Sequence, residues 1–281
     1  MTNLPTDFFE KNLRNIQNDD KSMRSRLGFL PSSIWKPDVA ITKELKEIIN
    51  DTCQTRQTLN ANRSDRRHGV NGGKCSVFNP QLAQMILAAY CEPNSTIYDP
   101  FGGGGTRGYI ATKMGHKYTG VELRIEEVNR IYDQMDKWGV HFDMICADST
   151  QFIPDGEFDF CYTCPPYYDL EVYSDLPSDL SNQKTYLEYL SMLQDVIENV
   201  YKKLKSGSFA VFVVGNFRQR DGSLVHLNGD LVDIAEIVGF KLWDELIWCG
   251  ASNVALTRCG KFEKNRKSVR MHEYIIILKK A

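Results

Sequence analysis

Long apolar runs and a secretion signal are both missing from this 281-residue sequence. The longest apolar runs, such as Phe209–Val214 and Tyr274–Leu278, are far shorter than the ~20 residues of a membrane helix. The N-terminus has no basic start followed by an apolar stretch, which argues against a signal peptide. We therefore expect a protein of the cytoplasm with no membrane partner.

Patterns typical of metal sites and disulfides are also scarce. Cys161 and Cys164 are three apart but lie in a strand-like run, and no histidine pair has zinc-ligand spacing. In the absence of a secretion signal, we expect the eight cysteines to be reduced and mostly part of the core. The sequence thus predicts no metal site.

Excess charge of one sign is missing as well, since the net charge is only −2. A hydrophobic content of 42% and a charged content of 25% are typical of a folded globular chain. The charges are unevenly placed, however. Residues 151–183 carry seven acidic side chains and no basic one, whereas residues 256–272 carry six basic side chains against one acidic. Basic segments on a near-neutral chain suit a polyanion bound at one face, although a solvated surface explains any single cluster equally well.

The chain divides into two parts by pattern. Residues 1–76 are polar and poorly periodic apart from a predicted helix at Thr42–Thr52, and we interpret them as a partly flexible N-terminal extension. Residues 77–281 alternate between strand and helix patterns and form the predicted main domain. Alternation of this kind predicts an α/β fold with a mostly parallel sheet, whose ligands bind beyond the carboxyl ends of the strands.

The predicted elements of the main domain follow one another closely. Helices are expected at Pro80–Tyr90, Thr106–Met114, Ile125–Trp138, Lys184–Leu204 and Gly229–Val238, and strands at Ser95–Tyr98, Lys117–Glu122, His141–Ala147, Phe158–Thr163, Ser208–Val214, Lys241–Cys249 and His272–Leu278. Three of these strands end in or beside an acidic residue, which makes the strand ends the place to look for a site.

The first of these strand ends carries a glycine-rich loop. Asp99 is followed by Gly102, Gly103, Gly104 and Gly105 before a helix begins near Thr106. Glycine lets the backbone approach a bulky ligand and allows turns with positive φ. The spacing of Gly103, Gly105 and Gly108 also fits a dinucleotide loop, whereas no Gly-Lys-Ser/Thr follows as a phosphate loop would require.

Two more acidic residues follow the next two strands. Glu122 lies where a carboxylate accepts hydrogen bonds from ribose hydroxyls, and Asp148 can accept from an adenine amino group. A carboxylate surface repels a pyrophosphate but favours a cationic sulfonium, so S-adenosylmethionine is the preferred cofactor over NAD. Each acid taken alone is also a plausible helix cap or turn residue.

The fourth predicted strand ends in the sequence TCPPY. Its two prolines stiffen the backbone, so the carbonyls of Cys164 and Pro165 can accept hydrogen bonds in a fixed geometry. The ring of Tyr167 offers a plane on which a base can stack. Two acceptors and a stacking ring can turn the lone pair of an exocyclic amine toward an incoming methyl group. A rigid structural turn with a core tyrosine is the alternative interpretation.

At this point the chain resembles a known family. DPFGGGGT and TCPPY, in this order, resemble the cofactor and catalytic motifs of DNA amino-methyltransferases, and the likeness covers about residues 78–280. Residues 164–182, 209–222 and 262–280 are similar to a subfamily often carried by phages and mobile elements. The resemblance implies a Rossmann-like, seven-stranded class I methyltransferase fold with an antiparallel last strand, in a bacterium or a phage-infected host cell.

The resemblance also implies roles for particular residues. The catalytic turn that holds the base would be Thr163, Cys164, Pro165, Pro166 and Tyr167, and the cofactor would be bound by Asn79, Pro80, Asp99, Pro100, Phe101, Gly102, Gly103, Gly104, Gly105, Thr106, Glu122 and Asp148. Adenine enzymes of the family usually carry Asp or Asn, and cytosine enzymes Ser, where this chain has Cys164. The target base is therefore open, and a cysteine nucleophile that methylates carbon is a minor alternative.

The DNA itself would need contacts outside the pocket, because a base must leave the duplex to reach it. The first candidates for phosphate contacts are Arg258, Lys261, Lys264, Arg266 and Lys267, and the second are Arg63, Arg66 and Arg67. Asn216, Arg218 and Arg220, after the fifth strand, are further candidate substrate contacts. Tyr168, Asp169 and Tyr173 follow the catalytic turn and are expected to line or cover the base pocket. We expect methyl transfer from S-adenosylmethionine to an exocyclic amine of adenine or cytosine in DNA. The alternatives are methylation of an RNA or protein amine and a non-catalytic DNA-binding role. The sequence leaves the oligomeric state open between a monomer and a homodimer.

Overall fold

The computed structural model describes residues 32–36, 43, 46, 47, 78–168, 173–219, 221–250, 262 and 266–281. Several predicted residues lie outside this set, namely Asp169, Arg258, Lys261, Lys264, Arg63, Arg66, Arg67 and Arg220. Of the helix predicted at Thr42–Thr52, Lys43, Lys46 and Glu47 are described and are helical, and the rest lies outside the described residues.

The described residues form an α/β fold around one sheet of eight strands. The strands of this sheet are β1 (Ile34–Trp35), β2 (Thr96–Asp99), β3 (Lys117–Glu122), β4 (Asp143–Cys146), β5 (Phe158–Thr163), β6 (Leu204–Val214), β9 (Phe240–Cys249) and β10 (His272–Lys280). Their order is β1-β9-β10-β6-β5-β2-β3-β4, and β10 runs antiparallel to both of its neighbours. The predicted fold class, a mostly parallel sheet with an antiparallel last strand, is confirmed.

The sheet differs from the seven-stranded expectation by one strand. Ile34 and Trp35 pair in parallel with Ile247 and Trp248 at the outer edge of β9. Trp35 is buried, so this short strand covers the sheet edge with a large side chain. The sequence pattern could not show this pairing, because two residues are too few to display a strand periodicity.

Five helices cover the sheet in the described part of the chain: α1 (Pro80–Tyr90), α2 (Thr106–Lys113), α3 (Ile125–Trp138), α4 (Tyr186–Lys203) and α5 (Leu227–Val238). Local signals set their ends. Thr185 and Glu188 form a reciprocal capping box at the start of α4, and Gly139 ends α3 in the left-handed conformation. None of these helices is both long enough and apolar enough to cross a membrane.

Two apolar layers, one on each face of the sheet, form the core. Along β6, Val211 and Val213 face the layer that includes α1, whereas Phe212 and Val214 face the layer that includes α4 and α5. Side chains alternate between the faces of a strand, so a strand buried on both faces must be apolar throughout. This explains the uninterrupted apolar run that the sequence shows there.

The carboxyl ends of β2, β3, β4, β5 and β6 meet at one edge of the sheet. The antiparallel β10 brings its first residues to the same edge, because Tyr274 pairs with Val214 at the end of β6. A two-stranded hairpin of β7 (Phe217–Arg218) and β8 (Leu224–Val225) follows β6 there. Segments that are far apart in the sequence therefore converge on one edge, where ligands bind in folds of this kind.

One buried amide fastens a loop of this edge to the helix layer. The Asn199 side chain on α4 donates to the carbonyls of Ser149 and Thr150 at 3.1 and 3.0 Å, just after β4. Ser149 in turn donates through its hydroxyl to the carbonyl of Pro100, at 2.5 Å. The loop after β4 is thus tied both to α4 and to the loop after β2.

Replacing Asn199 with alanine should leave two buried carbonyls without their donor. We expect Asn199→Ala to lower the free energy of unfolding by about 1–3 kcal/mol, measured by urea denaturation. Asn129→Ala, at an exposed position on α3, is the matched control and should cost far less. Equal stability of the two variants would contradict the role of this amide.

Candidate active site

The loop between β2 and α2 is held in a tight turn by backbone contacts. The Gly102 amide donates to the carbonyl of Val121 at 2.7 Å, so this loop lies against the end of β3. A Cβ on Gly102 would lie 3.3 Å from the Cα of Gly120, which leaves little room for a side chain. Gly105 precedes α2 with a φ of +80°, a conformation that glycine adopts without strain. The glycines are therefore required by the shape of the loop itself.

Beneath this loop, the carboxylate of Asp99 is fully buried at the end of β2. Its oxygens accept hydrogen bonds at 2.6 Å each from Arg107 Nε, Tyr118 Oη and Thr163 Oγ1, which belong to α2, β3 and β5. The backbone amide of Phe101 donates to it as well, at 3.0 Å. One carboxylate thus joins the glycine loop to the strand that leads into the double-proline turn.

The charge of Asp99 is matched by the buried guanidinium of Arg107. Burial alone would lower the pKa of Arg107, but the adjacent Asp99 carboxylate outweighs it and holds that pKa above its usual value. Burial raises the pKa of Tyr118 well above its ordinary value, and Asp99 adds to the rise. Both groups therefore stay protonated and remain donors to the carboxylate.

The acid at the end of β3 is also held in place. Glu122 Oε1 accepts from the backbone amide of Arg124 at 3.0 Å and from its guanidinium at 3.1 Å. The fully buried Glu127 then pairs with Arg130, whose guanidinium donates to the carbonyl of Gly104 at 3.2 Å. This chain of charges fixes Glu122 relative to the glycine loop.

The acid that follows β4 adopts a turn of its own. Asp148 Oδ1 accepts from the backbone amide and the hydroxyl of Thr150, at 2.9 and 2.7 Å. This self-contained turn, together with the anchoring by Asn199, presents the Asp148 carboxylate at the same edge as Glu122. Both carboxylates line the cavity described below.

The double-proline turn is braced from two sides. Tyr189 on α4 donates to the carbonyl of Pro166 at 2.8 Å, and the Tyr167 hydroxyl donates to Glu273 Oε1 on β10 at 3.0 Å. Burial raises the pKa of Tyr167 well above its ordinary value, and Cys164 and Glu273 add to the rise, so the phenol remains a donor. The Tyr167 hydroxyl lies 3.7 Å from Cys164 Sγ.

A single cavity of about 260 Å³ brings the loop and the turn together. The predicted residues that line it are Asn79, Pro100, Phe101, Gly102, Gly103, Gly104, Thr106, Glu122, Asp148, Cys164, Pro165, Pro166, Tyr167 and Tyr173. In the part of the chain that the structure describes, no group of three His, Cys, Asp or Glu side chains is arranged to hold a metal ion.

Four of the predicted cofactor and catalytic residues lie outside the cavity lining: Pro80, Asp99, Gly105 and Thr163. Asp99 and Thr163 are fully buried and contact each other, so they support the cavity from below and do not face a ligand. Gly105 shapes the turn, and Pro80 begins α1 after Asn79, whose side chain caps that helix. Asp99 thus supports the glycine loop from below, and the cofactor-binding role predicted for it stays a prediction.

Tyr168 also differs from its predicted place at the base pocket. Its ring packs among Tyr186, Tyr189 and Phe217, and its hydroxyl donates to the Lys184 carbonyl at 3.2 Å. Its φ of +45° is unusual for a residue with a side chain. The aromatic cluster holds this reversal of the chain, which turns Tyr168 away from the cavity while Tyr167 faces it.

The described basic candidates lie near the hairpin that follows β6. Arg218 donates to the carbonyl of Gly222 at 3.1 Å, and a Cβ on Gly222 would overlap Lys267 Nζ, so both cations meet this turn. Two hydrogen bonds from Ser223 lower the pKa of Asp221, and Lys267 lowers it further. Arg266, which precedes Lys267 in the chain, is exposed. Arg218, Arg266 and Lys267 are not in the cavity lining.

The structure adds lining residues that sequence reasoning missed. They are Phe78, Arg107, Val121, Leu123, Arg124, Ala147, Ser149, Ser178, Asp179, Leu180, Trp248 and Glu273. Most of these residues lie next to the glycine loop, the acidic strand ends or the double-proline turn in the sequence, so their position beside those motifs could have identified them. Trp248 and Glu273 had no such signal, because they pair across β9 and β10, far from both motifs in sequence.

The cavity suits S-adenosylmethionine. Apolar Phe101, Val121 and Leu123 line it beside the carboxylates of Glu122 and Asp148, a combination that fits a purine nucleoside. The hydroxyl oxygen of Thr106 is buried with no partner among the described residues, and Thr106 also lines the cavity. A buried unsatisfied hydroxyl of this kind is suited to a polar group of a ligand.

Comparisons with known proteins agree with this geometry. A family model named N6_N4_Mtase, described as DNA methylase, matches residues 5–133 and 158–281. The chain belongs to the N6/N4 DNA methylase family. Its cofactor is S-adenosylmethionine, and its fold is that of the class I methyltransferases. The comparison with curated proteins found no match.

Solved structures share the fold of this methylase at low sequence identity. TrmN from Thermus thermophilus is 15% identical to this chain and superposes with a TM-score of 0.51. The match covers 73% of this chain and 49% of TrmN, so the chain spans about half the length of TrmN. The [4+2]-cyclase SpnF is 16% identical, with a TM-score of 0.52 over 86% and 97%. Because a cyclase is among them, the shared fold alone does not define the activity.

The buried Asp99 carboxylate provides a direct test of how the site is held. Asp99→Asn replaces an acceptor with a group that cannot neutralise Arg107, and we expect a loss of about 3–5 kcal/mol of stability, read as a lower Tm. Affinity for S-adenosylmethionine should fall as well, because the loop loses its anchor. Asp143→Asn, at an exposed position on β4, is the control. A wild-type Tm for Asp99→Asn would contradict this role.

Proposed function

We propose that this methylase transfers a methyl group from S-adenosylmethionine to the exocyclic amine of an adenine (N6) or a cytosine (N4) that has been flipped out of DNA. One observation carries the proposal: the glycine loop and the double-proline turn line the same cavity. A cofactor bound at the loop and a base bound at the turn would then be close enough for direct transfer.

The residues on the two sides of the cavity would have different roles, one side binding the cofactor and the other the amine. Glu122 and Asp148 would hold the nucleoside part of the cofactor, and Thr106 and the glycine loop its other end. Bound S-adenosylmethionine supplies an electrophilic methyl group. On the other side of the cavity, the carbonyls of Cys164 and Pro165 would accept the N–H groups of the amine and turn its lone pair toward that methyl group. As the N–C bond forms, the S–C bond to the methyl group would break and S-adenosylhomocysteine would leave with the electron pair. The amine would then be cationic, and its proton would pass to water.

Tyr167 would present its ring to the base. The Gly215 backbone lies against one edge of this ring, since a Cβ there would come within 3.4 Å of it, and Glu273 holds the hydroxyl. A ring fixed at both points loses little freedom when a base stacks on it, and such stacking is worth about 1–3 kcal/mol per base.

Contacts with the DNA backbone would offset the cost of flipping the base. Arg218 and Lys267 meet at the hairpin after β6, on the same edge of the sheet as the cavity. Phosphate contacts from such side chains position a duplex without reading its sequence. Arg266 lies next to Lys267 in the chain, and we propose the three as backbone contacts, with Arg258, Lys261 and Lys264 as further ones.

Nucleoside mass spectrometry of DNA tests the activity. DNA from cells that express the wild-type protein should contain N6-methyladenine or N4-methylcytosine, and DNA from cells that express Tyr167→Ala should contain neither. Tyr201→Ala, a tyrosine of α4 outside the cavity lining, serves as the control. Methylated RNA or protein without methylated DNA would favour another amine substrate, and no methylation at all would favour a non-catalytic role.

Cys164→Ser separates amine methylation from carbon methylation through a cysteine nucleophile. Serine is a stronger hydrogen-bond partner than a thiol, so transfer to an amine should continue and rise by about a few-fold. A covalent mechanism needs the sulfur and would lose its activity altogether. Single-turnover rates of methyl incorporation into DNA distinguish the two outcomes.

A further inference from the structure

Glu273 stands out among the acidic residues that line the cavity. The lining contains four carboxylates in the described residues: Glu122, Asp148, Asp179 and Glu273. Glu122 and Asp148 follow β3 and β4, on the side of the glycine loop. Glu273 lies at the start of β10 and contacts the double-proline turn through Tyr167, at 3.0 Å.

Asp179 has a different role from Glu273. Its Oδ1 accepts from the amide and the hydroxyl of Ser181, at 2.8 and 2.5 Å, and its Oδ2 accepts from the amide and the hydroxyl of Ser174, both at 2.8 Å. It is also buried. Asp179 therefore organises the segment around residues 174–182, and Glu273 is left as the carboxylate beside the turn.

The turn itself lacks a strong side-chain acceptor. Cys164 occupies the position next to the two prolines, and a thiol is a weak hydrogen-bond partner. An amine that becomes cationic during methyl transfer gains most from an anionic acceptor, because a charge-assisted hydrogen bond is stronger than a neutral one. A carboxylate from elsewhere in the cavity would supply that stronger acceptor.

We propose that Glu273 supplies this carboxylate and is a further catalytic residue. Its Oε1 accepts from the Tyr167 hydroxyl, which lies 3.7 Å from Cys164 Sγ, and Glu273 lines the same cavity as Cys164 and Pro165, where the amine would bind. A carboxylate has about four acceptor positions, so Glu273 can hold the Tyr167 hydroxyl and still accept an N–H. It shares one of the two N–H groups with the turn carbonyl that accepts it, and it stabilises the positive charge as the N–C bond forms and the S–C bond of the cofactor breaks. The proton leaves to water as before.

This inference rests on the proposed amine chemistry, but not on DNA as the substrate. The test uses two cofactor analogues and no nucleic acid. Sinefungin carries a protonated amine where S-adenosylmethionine carries its methyl group, whereas S-adenosylhomocysteine has only a sulfur there. A carboxylate near the path of the methyl group should therefore favour sinefungin.

Isothermal titration of the full chain gives the ratio of the two dissociation constants. We expect the wild type to bind sinefungin about tenfold more tightly than S-adenosylhomocysteine, and Glu273→Gln to bring the ratio close to one. Comparing two ligands within one variant cancels any general weakening of the site. Glu273→Ala should give the same ratio as the glutamine variant, and Glu236→Gln, at an exposed position on α5, should keep the wild-type ratio.

Equal affinity of the wild type for the two ligands would overturn the proposal. A preference for sinefungin that persists in both Glu273 variants would also overturn it. Because no DNA enters the titration, failure to methylate DNA would refute the proposed substrate without changing this ratio. The kcat of methyl transfer should fall in Glu273→Gln with little change in the KM for S-adenosylmethionine, a separation that a purely structural role would not produce.

Discussion

A single buried carboxylate holds the two halves of this site together. Asp99 ends the central strand β2, and it accepts hydrogen bonds from α2, from β3 and from the last residue of β5. A carboxylate in such a place is stable only because Arg107 neutralises it and hydroxyl groups satisfy its remaining lone pairs. The spacing between the glycine loop and the double-proline turn follows from these contacts, and so does the shape of the cavity that they share.

The substrate side depends on the antiparallel strand. Because β10 runs against its neighbours, it returns a residue from near the end of the chain to the edge where β5 and β6 end. Trp248 and Glu273, which pair across β9 and β10, thus reach a cavity whose other walls come from the first half of the sheet. A wholly parallel sheet would present the carboxyl end of that strand here, and Glu273 would not lie beside the double-proline turn.

Local patterns predicted most of the fold and two segments that line the cavity, the glycine loop and the double-proline turn. The helices at Pro80–Tyr90 and Ile125–Trp138 and the strands at Lys117–Glu122 and Phe158–Thr163 have the predicted bounds, because their periodicity and end signals agree. The contacts of Asp99 and Tyr168 were not predictable, because only the tertiary structure brings their partners together. Those of Asp99 come from α2, β3 and β5, and those of Tyr168 from α4 and β7. The edge strand at Ile34–Trp35 and the position of Glu273 depend on pairing across the sheet, which no local pattern encodes.

A crystal structure of the protein with S-adenosylmethionine tests the central claim most directly. We predict that the adenosine lies between Glu122 and Asp148 and that the sulfonium methyl group points across the cavity at the Cys164–Pro165 backbone. A target nitrogen held by those carbonyls would then lie about 3–3.5 Å from the methyl carbon. A cofactor bound in the same cavity with its methyl group directed away from the double-proline turn, or bound elsewhere, would contradict it.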